Sequence, residues 1–110
     1  MSLEISQTLK QSVVAHQKGN LQEAEQGYRF VLRKDPTHPD ANHNLGLIAK
    51  SLGNPELALS LFEAALASNS KVEQFWISFI EALLKDNQLN KALVTIDKCK
   101  NLGIYPKRLE

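Results

Sequence analysis

Residues 44–66 read NLGLIAKSLGNPELALSLFEAAL, with apolar residues at helical spacing on both sides of a Gly53-Asn54-Pro55 break. Asn42, Leu45, Gly46 and Ala49 fall at i, i+3, i+4 and i+7, on one face of a helix that begins near Pro39. Pro39 suits a first helical turn because the N–H it lacks would have no partner there. Gly53 can take the left-handed conformation that closes this helix, Asn54 can cap the next through its side-chain oxygen, and Pro55 takes the following helix's first position. The second helix then buries Ala58, Leu61, Phe62, Ala65 and Leu66 and ends near Asn69. No nucleophile stands beside a base in this stretch and no glycine pattern could cradle a phosphate, so its order is explained by packing.

Sliding the chain against itself by 34 residues repeats the pattern. Ala24, Ala58 and Ala92 superimpose, as do Tyr28, Phe62 and Ile96, and Val31, Ala65 and Cys99. The break recurs at Gly19, Gly53 and Asn87, followed each time by a polar residue: Asn20, Asn54 and Gln88. Three copies in constant register predict six helices, over 4–18, 21–34, 39–52, 55–68, 73–86 and 89–101. The aligned alanines let paired helices approach closely where they cross.

These residues resemble the tetratricopeptide repeat, a 34-residue helix-turn-helix unit, from about Ile5 to Ile104. Copy two matches best, through Leu45-Gly46, Gly53, Ala58, Phe62 and Ala65. Copy one matches through Gly19, Ala24, Tyr28 and Asp35-Pro36, but has Gln11-Ser12 where Leu-Gly is usual. Copy three has the family's tryptophan in Trp76 and keeps Ala92, while Phe79-Ile80, Asn87 and Ile96 depart from the pattern. The resemblance implies an all-α, right-handed superhelix of three stacked hairpins forming one domain over 1–110, with repeats near 5–38, 39–72 and 73–106. It also implies a concave groove, lined by the first helix of each hairpin, that binds a peptide or helical segment of another protein and performs no chemistry. Periodicity by itself supports only that each hairpin has an apolar face which stacking on a neighbour must cover.

Carrying over the family's groove positions selects Ser6, Leu9, Lys10, Val13, His16 and Gln17 in copy one. It selects Asp40, His43, Asn44, Leu47, Lys50 and Ser51 in copy two, and Gln74, Ile77, Ser78, Glu81, Leu84 and Lys85 in copy three. Leu9, Val13, Leu47, Ile77 and Leu84 would supply apolar anchors, and Lys10, Lys50 and Lys85 a mild basic component. Asn44 is the sharpest single candidate, because an asparagine at this place in related proteins holds a bound peptide's backbone through its donor and its acceptor. Members that grip the C-terminal carboxylate of chaperones use a lysine and two asparagines, then a basic pair. Here Leu9, Val13, Asn44, Gln74 and Ser78 stand at the corresponding places, which argues against that subtype.

The 110 residues are 43% hydrophobic and 23% charged, ordinary for one folded domain. Thirteen basic against twelve acidic residues leave a net charge of +1, too little to draw nucleic acid or an anionic membrane. No stretch approaches the roughly 20 apolar residues that cross a bilayer, and MSLEISQTLK is not a secretory leader, so a cytoplasmic site is expected. Cys99 is alone and reads as a small core residue. His38 and His43 lack the i, i+4 spacing of a helical metal pair, and Glu23 and Glu25 lie on different faces of one helix. Neither metal, cofactor nor catalytic residue is therefore expected. Trp76 is expected to pack at the junction of copies two and three.

Leu109-Glu110 reads as a cloning remnant, and NLGIYPKRLE leaves Leu89, Leu93, Ile96 and Leu102 only partly covered by Ile104 and Tyr105. The native chain is thus expected to continue, with these repeats as its N-terminal part. HPDANHNLG and EQFW resemble repeats that precede transferase domains in bacterial proteins. The alternative reading is accordingly an oligomerising or scaffolding element attached to a C-terminal, transferase-like domain, with self-association through the C-terminal face.

Overall fold

The computed structural model describes residues 2–104; the Tyr105 lid and Leu109-Glu110 lie outside the described residues. Six helices follow in order: α1 (Leu3–Gln17), α2 (Leu21–Lys34), α3 (Pro39–Ser51), α4 (Pro55–Ser68), α5 (Glu73–Lys85) and α6 (Leu89–Asn101). Each boundary lies within one residue of the one predicted from the repeat. Consecutive helices form three antiparallel hairpins, and each second helix packs against the first helix of the next hairpin. The result is an all-α superhelix of stacked hairpins.

Local signals set the boundaries. The Ser2 hydroxyl accepts from Ile5 N at 3.2 Å, His38 Nδ1 accepts from Ala41 N at 3.2 Å, and Asn54 Oδ1 accepts from Leu57 N at 3.3 Å. Each of these side chains satisfies an N–H that the first helical turn cannot pair internally. Asn20 and Gln88, at the positions equivalent to Asn54, make no such bond. The three breaks share one backbone solution: Gly19 has φ +82°, Gly53 +77° and Asn87 +59°. Asparagine is the side chain that tolerates this left-handed region best after glycine, so copy three keeps the turn without the glycine.

Packing follows the aligned triplets. Ala24, Ala58 and Ala92 are buried, as are Val31, Ala65 and Cys99; Tyr28 and Phe62 are also buried, while Ile96 is half-buried. The clusters span copies: Ala15, Ala24 and Tyr28 join Leu45 and Ile48, and Ala49, Ala58 and Phe62 join Phe79, Leu83 and Ala92. No hairpin covers its own face, so the stacking itself makes the core.

Copy one resolves its departure from the repeat pattern by moving the glycine. In copy two a Cβ on Gly46 would stand 2.5 Å from the Phe62 ring, so glycine is what lets α3 meet α4. In copy one the equivalent residue is Ser12, and the small partner is Gly27 on α2, where a Cβ would collide with the Ser12 hydroxyl. Copy three has Ile80 at this position, and α5 and α6 are the least closely packed hairpin. Trp76 sits at the junction of copies two and three as expected, donating from Nε1 to the Ser70 carbonyl at 2.8 Å and touching Ile80 and Cys99. Beyond it Leu89, Leu93 and Leu102 remain exposed, Leu93 by 62%.

Candidate functional site

Of the groove positions, Lys10, Gln17, Asp40, Lys50, Ser51, Gln74, Leu84 and Lys85 are exposed, and Ser6, Leu9, Val13, His16, Asn44, Leu47 and Glu81 are half-buried. His43, Ile77 and Ser78 are buried; Ile77 retains 3% of its surface. Equivalent places in the three copies thus have unequal access. Phe75 to Ile80 are all buried, because α5 is apolar on nearly every side and is enclosed by its neighbours. Ile77 and Ser78 therefore present little surface for a ligand. Leu9 and Val13 lean on the core of copies one and two, and Leu47 on that of copies two and three, which leaves Leu84 as the exposed apolar side chain of the set.

Beneath this face lies a ladder of polar side chains drawn from all three copies, paired within copy one and between copies two and three. His16 Nδ1 lies 3.1 Å from the Tyr28 hydroxyl, and Asn44 stands close enough to that hydroxyl to favour its ionised form. Asn44 Oδ1 lies 3.4 Å from His43 Nδ1, His43 Nε2 lies 2.8 Å from Ser78 Oγ, and Gln74 Nε2 donates to that oxygen at 3.3 Å. The Asn44 oxygen can only accept, so His43 carries its hydrogen on Nδ1, and Nε2 of the neutral ring accepts from the Ser78 hydroxyl. The ring is stacked on Phe75 with centroids 4.8 Å apart and meets Phe62 at 5.5 Å.

The burial that satisfies this ladder also tunes it. Desolvation holds the His43 pKa below the usual histidine range, against smaller upward effects from the Asn44 hydrogen bond and the Asp40 charge. Desolvation raises the Tyr28 hydroxyl above its ordinary value, and Asn44 partly offsets it. These polar pairs leave no buried side-chain nitrogen or oxygen without a partner among the described residues, and the His43–Ser78 bond ties α3 to α5. Asn44 spends one acceptor on His43, and its amide oxygen retains a second lone pair.

The sequence marked Tyr28 as core and missed its second role. Its hydroxyl is the signal, since the equivalent Phe62 and Ile96 have none. His38, the other histidine weighed for metal binding, is the α3 cap. The described residues contain no group of three or more His, Cys, Asp or Glu placed to hold a metal. None of their helices is long and apolar enough to cross a membrane. Cys99 is buried, its thiol pushed up first by burial and then by the Glu73 charge, which disfavours the reactive thiolate.

Two depressions flank the ladder's second half. One, of about 200 Å³, is lined by Lys50, Pro55, Ala58, Ala82 and Lys85 among others. A wider one of about 500 Å³ lies between α4, α5 and α6, with Trp76 and Phe79 in its lining and Lys91 paired to Glu63 at 3.5 Å.

Stacked helical hairpins, each second helix packed against the next first helix, define a helical-repeat protein. The chain belongs to the tetratricopeptide repeat family: the family's profile matches residues 9–73. It is 35% identical over 81 residues to human tetratricopeptide repeat protein 7A, an alignment covering 74% of this chain and 9% of that protein. Its fold is similar to the type III secretion chaperone SycD of Yersinia enterocolitica, solved with a peptide of the translocator YopD. There the TM-score is 0.81 at 19% identity, over 93% of this chain and 78% of the other. It is also similar to the first tetratricopeptide domain of Spaghetti (RPAP3), solved with an HSP90 peptide. That match has a TM-score of 0.78 at 19% identity, over 92% of this chain and 82% of the other.

Proposed function

We propose that the chain is a protein-binding module that takes a peptide or helical segment of a partner on the face built by α1, α3 and α5, and that it does no catalysis. The observation that carries this reading is the arrangement of that face. Exposed Lys10, Lys50, Lys85 and Leu84, with half-buried Leu9, Val13 and Leu47, stand over polar pairs that tie α1 to α2 and α3 to α5. A preorganised face loses little on ordering, which favours capture of an extended or helical segment. Related folds solved with bound peptides support the same reading. Apolar anchors beside lysines suit a segment with apolar side chains and some acidic character.

Three repeats, near 5–38, 39–72 and 73–106, would act as one module of a longer bacterial protein. The proposed site of action of this module is the cytoplasm. Neither nucleic acid nor membrane is a favoured partner for a chain of net charge +1. Partner capture by a Lys10→Glu, Leu47→Ala variant tests the proposal, with Lys34→Glu, Lys98→Glu on the second helices as control and circular dichroism to confirm folding. Capture should be lost in the first and kept in the second; equal capture by both would count against this face.

The exposed Leu89, Leu93 and Leu102 favour a second reading, in which this end meets another copy or an adjoining domain. Light scattering across a concentration series separates the two, since Leu93→Lys should change association state without touching partner capture.

A further inference from the structure

A cleft of about 200 Å³ lies between the turns of copies two and three. Its innermost lining is apolar: Ala58, buried in the first turn of α4, and Ala82, half-buried near the end of α5, with Pro55 beside them. Lys50 and Lys85, in the last turns of α3 and α5, are exposed in the same lining, and neither makes an ion pair among the described residues. Asp86 contributes the one carboxylate, which accepts from Gln88 Nε2 at 2.7 Å. Two ammonium groups against one carboxylate that is already hydrogen-bonded leave the opening positive. Lysines here also complement the helix C-termini, a role that needs no ligand. The space between them is lined mainly by apolar surface.

We propose that this cleft anchors a short aliphatic side chain lying next to an Asp or Glu in an extended partner segment. The Ala82 methyl, the Pro55 ring and the lysine stems would receive the aliphatic group, with buried Ala58 as the floor, and the two ammonium groups its neighbour's carboxylate. The volume supports this assignment, since it falls below the roughly 300 Å³ at which pockets begin to hold whole small molecules. One side chain fits the space. The inference rests on the reading of the chain as a peptide-binding module, and it puts an anchor at the turn edge of the face, one helical turn beyond Leu47.

The test is a nuclear magnetic resonance titration of the full chain, labelled at backbone nitrogens and alanine methyls, with the capped tetrapeptide acetyl-Gly-Glu-Leu-Gly-amide. Analogues with Gln or Lys in place of Glu serve as comparison. The Glu probe should shift the Ala82 methyl and the Lys85 amide, and the Gln probe should bind about fivefold more weakly, the scale set by two exposed ion pairs. The Lys50→Met, Lys85→Met variant, which keeps most of each stem, should lose the same factor. Ala82→Leu, which fills the cleft, should abolish the shift of the Lys85 amide, the probe signal that this variant keeps. Equal binding of the Lys probe, an undiminished shift in either variant, or no shift at Ala82 would overturn the proposal. Shifts confined to Asn44 and Leu47 would overturn the cleft and leave the proposed binding face standing. Cleft shifts together with undiminished partner capture by Lys10→Glu, Leu47→Ala would support the cleft and count against that face.

Discussion

His43 Nε2 on α3 lies 2.8 Å from Ser78 Oγ on α5, a buried hydrogen bond between residues 35 apart that ties copy two to copy three. Ser78→Ala would leave a buried imidazole nitrogen unpaired, at a cost of about 1–3 kcal/mol. Urea denaturation should show that loss, with a coupling energy in the cycle that adds His43→Phe. The double variant removes both polar partners and should be less destabilised than the two single effects summed.

The same ring makes stability depend on pH. Desolvation sets the folded pKa of His43 below the ordinary histidine value, so the unfolded chain binds its proton first as pH falls. The contribution is therefore fully present above about pH 6.5 and is lost as pH drops through the folded value. Denaturation midpoints should fall between pH 7 and 5 in the native chain, and His43→Phe should flatten that slope. An unchanged slope in the variant would show that another group is responsible.

Gly46 and Gly27 stand where a neighbouring side chain leaves no room for a Cβ. Gly46→Ala gains about 1 kcal/mol of helix propensity, but its Cβ meets the Phe62 ring at 2.5 Å. Overpacking of about 1–3 kcal/mol should win, giving a net lower midpoint. Gly27→Ala should behave alike, because its Cβ runs into the Ser12 hydroxyl. Adding Ser12→Gly should restore part of the loss, which thermal melts of the single and double variants would reveal.

At the third turn Asn87 holds φ +59° where copies one and two have glycine. Asn87→Gly should stabilise by about 0.5 kcal/mol, while Gly53→Ala, at φ +77°, should destabilise by about 1 kcal/mol. No side chain is in the way at Gly53, so the second effect isolates backbone strain. Paired urea titrations would separate the opposite signs.

The helices were legible to within a residue because their signals are local. Proline at a first turn, a polar cap and a left-handed closing residue act through neighbouring backbone groups, and the triplets Ala24/Ala58/Ala92 and Tyr28/Phe62/Ile96 mark the seam by spacing alone. The family followed from the same repeat. The candidate face was only partly legible. Leu9, His43 and Ile77 occupy one repeat position, yet only Leu9 keeps appreciable exposure, since a repeat position does not say how many neighbours surround it.

By itself, then, the sequence determined six helices, their pairing into three hairpins and the apolar seams that make them stack. Tertiary structure decided which polar side chains of the ladder pair, His16 with Tyr28 and Ser78 with His43 and Gln74, that Gly27 rather than Ser12 makes room in copy one, and that Lys50 and Lys85 flank one cleft with Ala58 and Ala82. The division has a physical cause: capping and turn conformation are settled within a few residues, whereas burial and side-chain pairing depend on distances between helices about one repeat apart.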